Sequence, residues 1–136
     1  MMYIELKTGF ADNGPAWIGY AITSKSGKSM YFNGRALRKV SRGRYSDVET
    51  NEIYWVSGVK KNGANRHWAG RGKVLVEARA VNEYLAILGE RKLAPSKYGV
   101  FEAKTDIDLS KFHRLANEKL GHDLDDILAA FGAADV

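Results

Sequence analysis

Residues 2–8 alternate: Ile4, Leu6 and Thr8 fall on one face, and Tyr3, Glu5 and Lys7 on the other. Period two predicts a half-buried strand, closed by the turn formers Asp12, Asn13, Gly14 and Pro15. Residues 16–24 are rich in aromatic and β-branched side chains and predict a second strand. Trp17 and Tyr20 point to opposite faces of it, and Gly19 and Ala21 leave room beside the Trp17 ring. Residues 25–28 read as a hairpin turn, 29–32 as a short strand, and Asn33-Gly34 as a second tight turn or bulge before an extended stretch over 35–40. Residues 41–45 are polar and basic, which predicts a loop. Alternation returns over 51–56, with Ile53 and Trp55 set against Tyr54 and Val56.

Asn62-Gly63 is a strong turn signal in a polar stretch. It predicts a hairpin with its tip at 60–65, His67 and Trp68 on the return limb, and a second bend at Gly70-Arg71-Gly72. Residues 73–77 are a further strand. The period then changes. Val81, Tyr84, Leu85 and Leu88 stand at helical spacing, and Gly89 is a natural stop, so a short helix is expected near 80–88. Residues 91–98 read as a connector around Pro95. Beyond it, Asp108 can cap a helix with Leu109, Phe112, Leu115, Ala116 and Leu120 on one stripe. Leu124, Ile127, Leu128 and Phe131 make a second stripe, so residues 99–136 predict a helical hairpin.

Short strands with turn signals at roughly ten-residue spacing favour a small antiparallel barrel or meander. The expected fold is mainly β with added helices (α+β): a five- to six-stranded barrel of the Src-homology-3 kind, the short helix, and the C-terminal helical hairpin. An open antiparallel sheet with helices on one face is the second architecture. The expected division is a β-rich domain over 1–98 and an acidic helical extension over 99–136, packed on the domain or on a partner.

Charge sharpens that division. Residues 1–100 hold 17 Lys and Arg against 8 Asp and Glu, a balance of +9; residues 101–136 hold 4 against 8, a balance of −4. Two readings stand open: the basic body meets a polyanion such as nucleic acid, or the tail folds back and neutralises it. The absence of cysteine excludes disulfides and thiolate chemistry. The first ten residues lack the pattern of a signal peptide, and no apolar run reaches the length of a membrane span. The expectation is a cytoplasmic protein without a membrane segment.

Candidate chemistry is thin. His67, His113 and His122 have no second histidine at helical spacing, so no metal site is expected. No serine sits in a nucleophile elbow. Asp123, Asp125 and Asp126 suit the first turn of a helix. The glycines at 70 and 72 lead into a strand and not a helix, unlike a phosphate loop. No catalytic residue and no cofactor is assigned. What remains is a basic, aromatic surface: Lys60, Lys61, Arg66, His67, Trp68, Arg71 and Lys73 are the candidate binding residues. Arg35, Arg38, Lys39, Arg42 and Arg44 form a second basic run. Cations neutralise phosphates, and rings such as Trp68, Tyr54 and Tyr45 can stack on unpaired bases. The plain alternative is a wet hairpin tip above tryptophans, Trp55 among them, that anchor the barrel.

The run Tyr54-Trp55-Val56-Ser57-Gly58, Lys60-Lys61-Asn62-Gly63 and Arg66-His67-Trp68-Ala69-Gly70 resembles a group of small uncharacterised bacterial proteins. They share Tyr-Trp-(Ile/Val)-Ser-Gly, Lys-Lys-(Asn/Asp)-Gly and Arg-His-Trp-x-Gly. The resemblance covers residues 2–88. It implies one structural unit of bacterial origin, and it brings no activity and no catalytic residues. The functional expectation is a non-enzymatic binding module for nucleic acid or another polyanion, acting through the basic hairpin. The alternative is a protein-interaction module whose helical tail mediates dimerisation or docking.

Overall fold

The computed structural model describes residues 1–7, 14–65 and 72–105. Nine strands form one sheet: β1 (Met2–Lys7), β2 (Ala16–Gly19), β3 (Ile22–Thr23), β4 (Ser29–Phe32), β5 (Arg35–Ser41), β6 (Arg44–Asp47), β7 (Ile53–Gly58), β8 (Val74–Glu77) and β9 (Tyr98–Phe101). A 3-10 turn (Ala78–Ala80) leads into the helix α1 (Val81–Leu88) between the last two strands. The strand order is β3-β4-β5-β6-β7-β1-β2-β8-β9, and the sheet curls into a half-barrel.

The curl follows from one short stretch of chain. Only Tyr20 and Ala21 separate β2 from β3. Yet β2 pairs with β1 and β8 near one side of the sheet, while β3 pairs with β4 at the opposite edge. The three peptide steps from Gly19 to Ile22 span roughly 11 Å at most. A flat sheet cannot meet that limit, because strands lie about 4.8 Å apart and five of them intervene between β2 and β3. The sheet therefore bends until its ends approach. Rings seal the approach: Trp17 meets Phe32 with centroids 6.5 Å apart, and Phe101 meets Phe32 at 6.2 Å.

The switch between strands leaves the Tyr20 amide outside a ladder. A buried carboxylate takes it: Glu77 Oε2 accepts the Tyr20 N–H at 2.9 Å. Unpaired buried amides are rare for energetic reasons, and Glu77, 1% exposed, satisfies this one. Arg79 balances its charge through both Nε and Nη2. The approach requires a glycine at position 19. A methyl group there would stand 2.6 Å from Glu77 Oε2 and 2.9 Å from the Phe32 ring.

Both faces of β1 are covered. On the concave side Ile4 joins Met30, Phe32, Leu37, Tyr45, Tyr54 and Val56. On the convex side Tyr3 packs with Ala16, Ile18, Val74 and Val76 beneath Ala80 and Tyr84. The cover comes from a β8–α1–β9 unit, whose two strands are parallel, as a helical crossover demands. The alternation of β1 is real, but the helix hides its second face, so the strand is buried on both sides instead of one.

Several expectations are corrected. A small five- to six-stranded antiparallel barrel gives way to nine strands with two parallel pairings, β2 with β8 and β8 with β9. Residues 16–24 split into two strands, the basic loop at 41–45 is the turn and start of the β5–β6 hairpin, and the connector ends in β9. The expected division between residues 98 and 99 falls inside β9. Among the described residues α1 is the only α-helix, so neither the C-terminal helical hairpin nor a homodimer through those helices has a basis in the structure. Both expected helices lie in residues 106–136, outside the described residues. Among the described residues no helix is long and apolar enough to cross a membrane.

Gly19→Ala is expected to destabilise the fold by about 1–3 kcal/mol through overpacking. Gly58→Ala, where a methyl group would meet nothing within 4 Å, is expected to stay within about 1 kcal/mol of the parent. Urea unfolding monitored by circular dichroism measures both. Equal midpoints would contradict the account of the closure.

Candidate functional site

The 60–65 segment does not stand free. Gly63 N–H bonds back to the Lys60 carbonyl at 3.1 Å, and Asn62 Oδ1 accepts the Ala64 N–H at 3.0 Å. This is the turn that Asn-Gly foretold, with Gly63 in the left-handed region at φ 74°. Asn65 then fixes it in place. Its Oδ1 accepts the Lys60 N–H, and its Nδ2 donates to the Tyr84 hydroxyl at 3.1 Å, which in turn lies 3.1 Å from the Tyr98 hydroxyl. Gly63 sits so close that a methyl group on it would stand 2.9 Å from that Tyr98 oxygen.

Nor is the stretch a hairpin. β7 and β8 are not neighbours, because β1 and β2 lie between them. Residues 59–73 connect one side of that pair to the other, and Val59 packs against the convex core. Lys60 and Lys61 are exposed, as is Lys73 just before β8. Lys61 lines an open cleft of about 500 Å³ with Lys92 and Lys97, against one carboxylate, Glu90, over Leu88 and Leu93. Arg66, His67, Trp68 and Arg71 lie outside the described residues. The lysines of this cleft surround the C-terminal end of α1, where the Glu90 N–H reaches back to the Leu85 carbonyl at 3.1 Å. The negative end of a helix dipole accounts for cations gathered there.

The basic hairpin of this protein is β5–β6. From residue 24 to residue 46 the chain has seven Lys and Arg and no Asp or Glu. Arg35 is drawn inward: its Nε bonds Asp47 Oδ2 at 2.7 Å and its Nη1 lies 3.6 Å from Glu49. Asp47 is fully buried and also accepts the Glu49 and Thr50 amides, so it shapes the bend into β7. Past that anchor the hairpin runs outward. Lys39, Arg42 and Arg44 are exposed, with Val40 61% exposed between them. The turn between β3 and β4 lies alongside, since the Lys39 N–H donates to the Lys28 carbonyl at 2.7 Å and the Tyr45 hydroxyl to the Gly27 carbonyl at 3.3 Å. That contact adds the exposed Lys25 and Lys28 to the same end of the sheet.

One ring accompanies these cations. Trp55 pairs directly with Arg44 in the β6–β7 register and remains 36% exposed. It rests on Gly43, whose φ of 76° and lack of a side chain let the indole lie against the turn; a methyl group there would meet it at 2.6 Å. Trp55 is therefore not the core anchor expected from its alternation. Tyr54 and Val56 face the concave core, and Trp55 faces out. The expected stacking rings Tyr45 and Tyr54 are buried. Among the described residues no group of three or more His, Cys, Asp or Glu could hold a metal ion. No family model, no curated protein and no solved structure matches the chain.

Burial, and then its bond to Tyr98, push the Tyr84 phenol well above its ordinary value near 10. The unfolded chain releases this proton above about pH 10 while the folded chain keeps it, so this group's contribution to stability is complete below pH 10 and declines above it. Tyr84→Phe removes the titrating group. Urea midpoints followed from pH 9 into this range are expected to fall less steeply in the variant than in the parent. Parallel alkaline slopes would show that Tyr84 is not the group responsible.

Proposed function

We propose that this chain is a non-enzymatic binding module for single-stranded nucleic acid, held by the β5–β6 hairpin. The observation that carries the reading is the exposed set Lys25, Lys28, Lys39, Arg42 and Arg44 at one end of the sheet, in a stretch with no carboxylate from 24 to 46, with the partly exposed Trp55 ring paired to Arg44. Each cation that replaces a condensed counterion on a phosphate gains entropy when that counterion is released. A ring at the edge of the cationic track offers a π-face to an unpaired base, which duplex DNA does not present. Arg35 takes no part, because Asp47 and Glu49 already neutralise it.

The cleft around Lys61, Lys92 and Lys97 is the weaker site for a polymer. It holds an opposing carboxylate, Glu90, and its lysines have a sufficient reason in the helix end. The second expected reading, an interaction module working through a helical tail, lacks the helices it needs among the described residues.

Anisotropy of a labelled oligothymidine measures the binding. Affinity is expected to fall with salt at a slope near −0.7 per phosphate contact, or about −3.5 if all five cations engage. Lys39→Glu with Arg42→Glu is expected to flatten that slope. Trp55→Ala is expected to weaken binding by about 1–3 kcal/mol while leaving the slope unchanged. Absence of binding at low salt ends the proposal. Binding that ignores Trp55 and favours heparin would reduce it to general polyanion attraction.

A further inference from the structure

A second cleft, of opposite polarity, opens at the mouth of the half-barrel. Its volume is about 330 Å³, at the small end of the range for low-molecular-weight ligands. Trp17, Phe32 and Tyr54 line it from the concave face. The rings do not form a flat floor. Trp17 meets Tyr54 at 6.2 Å with their planes 34° apart, and meets Phe32 at 6.5 Å and 60°. Faces and edges alternate around the space. Asn33 comes from the β4–β5 turn, and Glu52 and Thr50 come from the loop before β7.

The charge at this mouth is decided by counting which groups remain unmatched. Arg35 lines the cleft, but its Nε is bonded to Asp47 and its Nη1 lies beside Glu49. Glu52 is exposed and has no ion-pair partner among the described residues. Arg35 and the buried Asp47 offset one another, which leaves Glu52 as the carboxylate lining the cleft without an ion pair among the described residues. The Tyr54 phenol registers the same field: burial raises it, and Asp47 and Glu52 push in the same direction against Arg35. An anionic guest would meet a guanidinium already claimed by two carboxylates. A neutral guest would gain from the rings but not from the charge.

We infer that the half-barrel mouth is a binding site for a small organic cation of the quaternary ammonium class. Such a cation is weakly hydrated, so it loses little on leaving water. It is attracted to the negative faces of aromatic rings, and Trp is the best of these. Glu52 at the rim supplies the counter-charge that selects it over a neutral molecule of the same shape. This site is built from residues other than the β5–β6 cations, and it stands or falls independently of nucleic-acid binding.

Calorimetric titration with choline tests the inference, alongside two isosteres of the same shape: neutral 3,3-dimethylbutanol and anionic 3,3-dimethylbutanoate. Saturable choline binding is expected, at least about tenfold tighter than either isostere. Glu52→Gln, an exposed change that leaves the core intact, is expected to weaken choline about fivefold and leave the neutral isostere unaffected. Trp17→Leu is expected to abolish binding of both, and since it alters a core contact, Glu52→Gln decides the matter if that variant does not fold. A trimethyl-lysine peptide bound more tightly than choline would keep the ammonium chemistry and assign its source to a protein side chain. Equal affinity for the neutral isostere, tighter binding of the carboxylate, an unchanged Glu52→Gln, or no saturable heat from choline would each overturn the inference.

Discussion

The limit on the reach of residues 16–23 governs this molecule. That stretch pairs with β1 and β8 through its first half and with β4 through its second. A chain that must serve the edge strand at one end of a nine-stranded sheet and the third strand from the other end within eight residues leaves the sheet no choice but to curl. The concave core, the ring contacts of Phe32 with Trp17 and Phe101, and the cleft at the mouth all depend on that bend. A strand that changes neighbours part-way is the usual means of turning a corner in β structures. Here Gly19 makes room for the corner and the Glu77 carboxylate satisfies the amide it leaves unpaired.

The buried carboxylates share a logic. Glu5, Asp47 and Glu77 are each at most 1% exposed, and an unpaired buried charge is strongly destabilising. Each has a cation two or twelve residues away: Lys7 for Glu5, Arg79 for Glu77, Arg35 for Asp47. Asp47 and Glu77 also accept backbone amides where the chain leaves regular pairing. They act as internal caps for a sheet that bends sharply. A side effect is that Arg35 is withdrawn from the basic hairpin and turned to the mouth. One ion pair thus separates the cationic surface from the cleft of opposite sign.

What was legible in the sequence was local. Alternation located β1, Asn33-Gly34 marked the β4–β5 turn, and helical spacing ending at Gly89 located α1. The parallel pairing of β8 with β2 and β9 was not legible, because no turn joins parallel neighbours and the register belongs to residues far apart in the chain. Alternation over 53–56 gave two faces but not which one is inside. Size points the largest ring to the core, whereas the neighbours across the ladders are polar for Trp55, which lies between Arg44 and Glu5, and apolar for Tyr54, which lies between Tyr45 and Leu6. For the same reason the Asn62-Gly63 turn points to a basic hairpin that the topology does not contain. Both basic runs were visible, but only the topology shows that 60–63 is tied down by Asn65 and that 39–44 projects.

The strand order also bears on the way the molecule assembles. Every strand from β1 to β7 lies within the first 58 residues, and their ladders are all antiparallel. The concave core is drawn largely from these strands. The convex face must wait for residues 74–84, which supply Val74, Val76, Ala80 and Tyr84. A chain emerging from its N-terminus can therefore complete the inside of the half-barrel first, while Tyr3, Ala16 and Ile18 remain an apolar strip open to solvent. Among the described residues the last unit to be made is a lid in time as well as in space, and the interval before it arrives leaves that strip open to aggregation.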